Sequence, residues 1–378
     1  TLPPSTSLAI GDTVSINAVG EAGFSIAQNE DQFVYFQAFP EPVWTARENA
    51  RNWIGIASSA DGAKLAACAQ SNYIYTSTDS GQTWLPRMTD TIRDWQGVAS
   101  SSDGVKLAAV NCNSSVYTST DSGATWTTNT TPGMTLSSIA SSSDGTKLIA
   151  GDEGGGAGGY LYTSTDSGTT WTPRATDSAR IWRHVASSAD GVHLIAGSSL
   201  SLFTSSDSGE TWTPRMTDAN RNWMRVASSA DGTKLIACVF GEYVYTSTNS
   251  GQDWTPRLTD STRNWYAAAS SADGTRLIIG QYIGHLYTSS DSGATWLEEM
   301  TDSDRSWLSA ASSSDGRKLA VCVYDGGQLY TMNRDSKITT PGITGSFDAE
   351  ANHAVELQYV GNNKFKVISH EGDAFSKT

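Results

Sequence analysis

The chain of 378 residues is poor in charged side chains, and this scarcity excludes several classes of protein. Charged residues make up 17% of it and hydrophobic residues 38%, a balance that does not fit a disordered chain. Lys and Arg number 25 against 39 Asp and Glu, so the net charge is −14. The electrostatic field of this negative charge repels phosphate backbones and anionic membrane surfaces. We therefore expect no nucleic-acid partner.

Long apolar runs are also missing. No stretch of 18 apolar residues occurs, and no charged-then-apolar leader is visible at Thr1. We therefore expect no membrane insertion and no signal peptide in this sequence.

Histidine and cysteine are scarce too. The five histidines follow no zinc-binding spacing, and neither a phosphate-binding loop nor a dinucleotide fingerprint is present. We expect no metal and no cofactor. Three of the four cysteines, Cys68, Cys238 and Cys322, occupy one equivalent place in separate repeats. Equivalent positions on separate sheets are too far apart for a disulfide, so we interpret them as small buried side chains.

Glycine, serine, threonine and tryptophan are abundant, and they occur in a repeating pattern. The phrase A-S-S-x-D-G occurs seven times at intervals of 41 to 46 residues, and its aspartates number repeats 1 to 7: Asp61, Asp103, Asp144, Asp190, Asp231, Asp273 and Asp315. A second phrase, S-[ST]-[DN]-S-G-x-[TD]-W, follows in six of the repeats, at Asp79, Asp121, Asp166, Asp207, Asn249 and Asp291.

Each repeat contains four short strand-like runs separated by turn residues. In repeat 5 they are residues 223–228, 234–239, 243–247 and 254–257. The Asp-Gly pair between the first two runs is the signal of a tight hairpin. Four strands in a period of 40 to 45 residues are typical of a propeller blade. We predict an all-β, seven-bladed β-propeller of four-stranded antiparallel blades over residues 43–335.

The final blade is expected to use both ends of the repeated region. Repeat 7 stops at Tyr330-Thr331-Met332 without a fourth strand, whereas Val43-Trp44-Thr45-Ala46-Arg47 matches the fourth strand of the other repeats. We therefore predict that this N-terminal strand closes the ring.

The second phrase, as in Ser77-Thr78-Asp79-Ser80-Gly81-Gln82-Thr83-Trp84, resembles the Asp-box, or BNR repeat, of sialidases, sortilin-type receptors, xyloglucanases and a photosystem II assembly factor. The resemblance covers about residues 44–335. It implies a propeller whose boxes lie on the face opposite the usual active site. The aspartate can accept bonds from turn N–H groups, so we assign these six positions a structural role.

The fourth-to-first loops, on the other face, repeat a T-D-x-x-R-x-W pattern. Repeat 1 has Asn49 in place of the acid, and repeat 3 has Leu136 at the tryptophan position. One interpretation pairs the acid with the arginine and packs the ring between blades. The other makes them small-sugar pockets. The candidate ligand-binding residues are Arg51, Trp53, Asp90, Arg93, Trp95, Asp177, Arg180, Trp182, Asp218, Arg221, Trp223, Asp260, Arg263, Trp265, Asp302, Arg305 and Trp307.

Carboxylates in the second-to-third loops offer an enzymatic alternative. Glu153 with Glu242 or Asp325 would form the acid and base of a glycoside hydrolase if they lay about 5 to 10 Å apart. We assign no catalytic residue on this basis.

The two ends of the chain, residues 1–42 and 336–378, share no repeat phrase and contain alternating strand-like runs. Gly11-Asp12-Thr13-Val14 and Ala354-Val355-Glu356-Leu357, with their flanking runs, resemble a small β-module of phage tail-fibre and surface proteins. We expect the ends to pair into one module, through which the chain could form homo-oligomers.

These patterns lead to one functional hypothesis and two alternatives. The hypothesis is a non-catalytic adhesion module, extracellular or on a virion surface, that recognises a glycan or surface protein through pockets between blades. The alternatives are the glycoside hydrolase and a structural subunit of a fibre or shell that assembles through its terminal strands.

Overall fold

The computed structural model of the protein describes residues 13–17, 24–27, 33–36, 43–113, 115–130, 134–334, 337–338, 346–349, 354–361, 364–371 and 375–377. Apart from a single 3-10 turn at Gly154–Gly156, the regular structure of these residues is β-strand. The predicted all-β class is confirmed. The chain divides into two compact units, one of residues 1–43 and 334–378 and one of residues 44–333.

In the larger unit, every repeat forms antiparallel strands in chain order. The strands of repeats 1 to 3 are Trp53–Ser58, Leu65–Ala69, Ile74–Ser77 and Leu85–Arg87; Trp95–Ser100, Leu107–Asn111, Ser115–Ser119 and Thr127–Thr130; and Leu136–Ser141, Leu148–Asp152, Leu161–Ser164 and Thr172–Arg174. Those of repeats 4 to 6 are Trp182–Ser187, Leu194–Ser198, Leu202–Ser205 and Thr213–Arg215; Trp223–Ser228, Leu235–Glu242, Val244–Ser247 and Thr255–Arg257; and Arg263–Ser270, Leu277–Gly284, Leu286–Ser289 and Leu297–Glu299.

Repeat 7 supplies three strands, Arg305–Ser312, Lys318–Val323 and Gly327–Asn333. The edge of the third strand is paired with Thr45–Arg51 from the start of the unit, with Ala46 opposite Tyr330 and Thr45 opposite Thr331. Two segments about 280 residues apart in the sequence thus share one sheet.

The A-S-S-x-D-G phrase explains the turn between the first two strands of each repeat. In repeat 1, the Ser59 hydroxyl donates to Asp61 at 2.6 Å and accepts the Lys64 amide at 2.9 Å. The Asp61 carboxylate also accepts the Ala63 amide at 2.9 Å. Gly62 has a φ of 66°, which a residue without a Cβ adopts at little cost. The phrase therefore fixes a tight turn through three local hydrogen bonds.

The variable position of that phrase connects neighbouring repeats. The amide of Ala60 donates to the carbonyl of Ser102 in the next repeat at 2.7 Å, and the same bond recurs from repeat to repeat. The last one runs from Ser314 to Ala60, also at 2.7 Å. The series therefore returns to its first member. Its residues are Ala60, Ser102, Ser143, Ala189, Ala230, Ala272 and Ser314.

The core lies between adjacent sheets. Trp53 is fully buried and contacts Tyr75 edge-on, with ring centroids 5.1 Å apart. The cluster around it includes Ala311 and Cys322 from repeat 7. Each repeat thus buries its apolar side chains against the next, as a blade must because one small sheet cannot cover its own faces.

Repeats 5 and 6 are more tightly joined than the repeat pattern predicts. Their second strands are eight residues long, and the extra residues pair with the first strand of the following repeat: Phe240 lies opposite Asn264, and Tyr282 lies opposite Ser306. Repeats 5 to 7 consequently form one hydrogen-bonded sheet.

The smaller unit contains strands from both ends of the chain. Thr13–Asn17 pairs with Ala354–Gly361, which pairs with Lys364–Glu371. The other described strands are Phe24–Ala27, Phe33–Phe36, Lys337–Ile338, Ser346–Ala349 and Phe375–Lys377.

Candidate functional site

The tryptophans of the T-D-x-x-R-x-W loops lie inside the protein. All six, Trp53, Trp95, Trp182, Trp223, Trp265 and Trp307, are 0% exposed. Leu136, which takes the same position in repeat 3, is 1% exposed. A buried ring has no free face on which a sugar could stack. The burial therefore favours the packing interpretation over the sugar-pocket interpretation.

The aspartates and arginines of the same loops bind each other. In repeat 2, Arg93 donates from two nitrogens to the two carboxylate oxygens of Asp90, at 3.1 and 2.7 Å. Its guanidinium also lies 5.3 Å from the ring centre of Tyr117. Equivalent ion pairs join Asp177 to Arg180, Asp218 to Arg221, Asp260 to Arg263 and Asp302 to Arg305. Because each of these arginine guanidinium groups already binds its own aspartate, it is not free to bind a ligand.

Repeat 1 differs from the sequence interpretation. The sequence interpretation puts Asn49 in place of the acid, but Arg51 donates to the Glu48 carboxylate at 2.8 Å and to the Asn49 backbone carbonyl at 3.2 Å. Glu48 lies three residues before Arg51, as Asp90 lies three residues before Arg93, so the acid keeps its spacing and the assignment of Asn49 to this position was wrong. Repeat 1 therefore keeps an ion pair.

The aspartates of the S-[ST]-[DN]-S-G-x-[TD]-W phrase close the turn between the third and fourth strands. In repeat 2, Asp121 accepts bonds from the Thr125 amide at 2.8 Å, the Thr125 hydroxyl at 2.6 Å and the Ser119 hydroxyl at 2.8 Å. These bonds, led by those from Thr125, lower the Asp121 pKa from its ordinary 3.8 to about 2. Five aspartates accept such bonds: Asp79, Asp121, Asp166, Asp207 and Asp291.

Repeat 5 forms the same turn, but its carboxylate stands four residues later in the phrase than in the other repeats. Asn249 accepts the Asp253 amide at 2.9 Å and donates its own amide to the Asp253 carboxylate at 2.8 Å. Aspartate here stands where the other copies of the phrase have threonine, so the negative charge lies on residue 253 instead of residue 249. The turn needs an acceptor at position 249 and a partner four residues later, whichever of them carries the charge.

The three carboxylates considered for hydrolysis have separate partners. Glu153 accepts from Arg183 at 3.0 Å. Glu242 accepts from Tyr245 at 2.8 Å and from Arg221 at 3.2 Å. Asp325 accepts from the Ser306 hydroxyl at 3.0 Å. No contact among the described residues brings two of these carboxylates together.

A different position gathers polar groups at one place. The first strands of all the repeats line a central cavity of about 300 Å³. The residues that follow each first-strand Trp, or Leu136, by two positions are Gly55, Gly97, Ser138, His184, Arg225, Ala267 and Ser309. Most of these seven residues are small. Only His184 and Arg225 among them have long polar side chains.

Arg225 crosses the cavity from repeat 5 to repeats 6 and 7. Its Nε donates to the carbonyl of Tyr266 at 2.8 Å, and its Nη2 donates to the carbonyl of Leu308 at 2.8 Å. The third nitrogen, Nη1, forms no hydrogen bond with any described residue. No Asp or Glu among the described residues lines the cavity. The guanidinium is thus held by neutral carbonyls and has no counterion here.

Two more polar groups share this cavity. His184 accepts the Val226 amide through Nδ1 at 3.4 Å. Burial, reinforced by the charge of Arg225, holds the pKa of His184 well below its ordinary 6.5, so the imidazole is neutral at pH 7. The Ser138 hydroxyl is buried and lacks a hydrogen-bond partner among the described residues. The cavity therefore combines one unneutralised cation with a neutral imidazole.

An aromatic cluster adjoins Arg225. The backbone carbonyl of Tyr266 accepts a hydrogen bond from Arg225. The ring centre of Tyr266 lies 5.9 Å from that of Phe240 and 4.9 Å from that of Tyr282. Phe240 is 42% exposed and Ile283 is 64% exposed. Ile283 also has a φ of 62°, a strained conformation for a β-branched residue and one that is concentrated at functional sites. The cluster presents apolar surface next to the only guanidinium in the described lining of the cavity.

Sequence reasoning missed this site. The histidine spacing does not single out His184, and the loop motif does not include Arg225. The available signal was the comparison of one position across repeats, where small residues give way to His and Arg.

Among the described residues, no group of three or more His, Cys, Asp or Glu could hold a metal ion.

Comparison with known proteins supports the fold. No family model matches the chain, and no curated protein matches it. Solved structures do match it. A structure of YCF48 bound to D1 peptide is 16% identical with a TM-score of 0.61, over 78% of this chain and 97% of that chain.

Two other solved structures match with similar scores. A GH74 xyloglucanase from Xanthomonas campestris is 15% identical with a TM-score of 0.58, over 86% of this chain and 55% of that chain. A streptogramin B lyase is 12% identical with a TM-score of 0.64, over 77% and 97%. At these identities the similarity shows the fold alone. The chain is a β-propeller built from four-stranded antiparallel blades.

Proposed function

We propose that this chain is a non-catalytic binding protein whose central cavity accepts an acidic group of a peptide or protein partner at Arg225. The proposal rests on one observation: Nη1 of Arg225 has no partner among the described residues, in a cavity whose described lining has no carboxylate. A partly buried guanidinium binds a carboxylate through charge-assisted hydrogen bonds. The neutral His184 adds a polar group to the cavity without opposing charge.

A peptide suits the surroundings better than a sugar does. The exposed Phe240 and Ile283 offer apolar contact, and Tyr266 joins this patch to Arg225. A peptide supplies an acidic group and apolar side chains together. One protein of the same fold, YCF48, has been solved bound to a peptide.

The number of blades, the closure of the ring and the division of the chain into two modules are also part of the proposal. We infer a closed ring of seven blades, with Thr45–Arg51 as the outer strand of the last one. The pairing with Gly327–Asn333 and the bond from Ser314 to Ala60 support this. The division into residues 43–335 and a terminal module of residues 1–42 and 336–378, the tail-fibre likeness, oligomerisation through that module and an extracellular or virion-surface location are proposals that rest on the sequence patterns.

Glycan recognition by the Asp-Arg-Trp loops is the weaker candidate, because its tryptophans are buried and its arginines are paired with acids. A hydrolase is weaker still, since each candidate carboxylate already has its own donor.

The test is a peptide array in which every sequence is printed both with a free C-terminal carboxylate and as the amide. We expect wild-type protein to bind a subset of the free acids more strongly than their amides. Arg225→Gln should lose that subset while keeping the wild-type circular dichroism spectrum. Arg317→Gln, which removes the same charge outside the cavity lining, should bind as wild type does. Binding that ignores both the carboxylate and Arg225, or binding only to a glycan array, would overturn the proposal.

A further inference from the structure

Each repeat places one fourth-strand side chain against a threonine of the third strand. In five repeats this side chain is an arginine whose Nε donates to the threonine hydroxyl at 2.7 to 2.9 Å: Arg47, Arg87, Arg174, Arg215 and Arg257. Repeat 6 uses Glu299 instead, which accepts from Thr288 and from Trp44, both at 2.6 Å. Repeat 2 has Asn129, which reaches Thr118 at 3.2 Å.

The short Asn129 side chain leaves its threonine uncovered. Thr163, beneath Arg174, is 6% exposed, and the equivalent threonines of the other repeats are also buried. Thr118 alone in this set is only partly buried. Asparagine forms the first hydrogen bond that arginine would form, but it has no guanidinium to lie beyond that bond.

A cavity occupies the vacated place. The cleft between repeats 2 and 3, lined by Thr118, Asn129, Lys106 and Leu148 among others, has a volume of about 260 Å³. The equivalent cleft between repeats 3 and 4, lined by Thr163, Lys147, Leu194 and their neighbours, has about 10 Å³. All nine lining positions of the smaller cleft recur in the larger one, which adds Ala108, Thr127, Asn129 and Thr169. The fourth strands differ in carrying Asn129 or Arg174 against the threonine, and we attribute the larger volume to the shorter side chain.

The electrostatics of the two clefts are also matched. Lys106 donates to the Ser167 hydroxyl at 3.4 Å, and Lys147 donates to the Ser208 hydroxyl at 3.3 Å. In the second cleft, Arg174 donates to Thr163, and Thr163 lines that cleft together with Lys147. In the first cleft, Asp144 lies close enough to Lys106 for the lysine to help lower the aspartate pKa, so the lysine charge is partly offset.

We propose that the cleft between repeats 2 and 3 is a binding site for a guanidinium group, supplied by an arginine side chain of a peptide. The peptide arginine takes the place that the chain's own arginine takes in five other repeats. Its planar group lies over Leu107 and Leu148, and its nitrogens donate to the hydroxyls of Thr118, Thr127 and Ser167 and to Oδ1 of Asn129. This site is independent of Arg225 and of the central cavity.

The test titrates N-acetyl-L-arginine methylamide into the full-length protein and follows the Asn129 side-chain amide and backbone amides by NMR. We expect saturable shifts at residues that line this cleft, and at least about tenfold weaker binding of the neutral citrulline analogue. Asn129→Arg, which rebuilds the side chain found elsewhere, should abolish the shifts. Arg174→Asn should open a second site of the same kind at Thr163, and Arg215→Asn serves if that variant does not fold.

Three results would overturn the proposal. They are equal binding of arginine and citrulline, unchanged binding to Asn129→Arg, and no shift at the cleft at the highest ligand concentration. A sugar that binds this cleft and is displaced by Asn129→Arg would place a site here but reject the guanidinium class.

Discussion

The backbone amide of Ser314 donates to the carbonyl oxygen of Ala60 at 2.7 Å, and this bond joins the last repeat to the first. The same bond links each of the remaining six pairs of neighbouring repeats. The residues that make it are only alanine and serine. The variable letter of the A-S-S-x-D-G phrase thus carries a specific structural role.

The pairing of Ala46 with Tyr330 makes ring closure testable. The double variant Ala46→Cys with Tyr330→Cys should form a disulfide under mild oxidation, because directly opposed residues of antiparallel strands have Cβ atoms about 4.5 to 5.5 Å apart. Peptide mapping by mass spectrometry would detect the cross-link. Moving the first cysteine to Val43 should prevent it. A cross-link only between two protein molecules would contradict closure within one chain.

The buried tryptophans should act on stability. Trp223 is fully buried against Tyr245, with ring centroids 5.6 Å apart. Trp223→Ala should lower the free energy of unfolding in urea by about 3–5 kcal/mol, because it leaves a large cavity. Trp223→Leu should cost less, since leucine fills the same position in repeat 3 as Leu136. A stable Trp223→Ala variant that lost only ligand binding would support the sugar-pocket interpretation.

The loop motif shows where sequence reasoning reaches its limit. The motif predicted a pairing of Asp90 with Arg93 and packing of Trp95 between blades as one of two interpretations, and the guanidinium lies 5.9 Å from the ring. Whether that face is open to solvent depends on how closely the next sheet packs, which no local pattern encodes. Arg225 is hidden for the opposite reason: it departs from the repeat, and a pattern of repeated residues does not point to it.

Acid should destabilise the propeller over a defined pH range. Hydrogen bonds from Thr125 and Thr295 lower the pKa values of Asp121 and Asp291 from 3.8 to about 2. A carboxylate with a lower pKa in the folded state stabilises that state fully above its unfolded pKa, and the contribution is lost as the pH falls through the folded value. Urea midpoints should therefore be constant above about pH 5 and fall between about pH 4 and pH 2. A midpoint that stays level through this range would contradict the turn role of these aspartates.

The cysteines should differ in reactivity. Cys68, Cys238 and Cys322 are buried, and burial raises the pKa of Cys322 to about 12. Cys112 is only partly buried. A thiol reagent such as DTNB should modify one thiol of the native protein quickly and all four after unfolding, because only an accessible thiolate reacts. Mass spectrometry of the labelled peptide should identify Cys112. Rapid labelling of Cys238 would contradict the packing between repeats 5 and 6.

The most direct test of the account measures the coupling between Arg225 and a ligand carboxylate. Calorimetry would compare the free-acid and amide forms of the best array peptide on wild-type protein and on Arg225→Gln. We predict that amidation weakens binding to wild type by at least about tenfold and changes binding to the variant little, because the two groups act as a pair. An equal effect of amidation on both proteins would show that the carboxylate binds elsewhere, and would contradict the central claim.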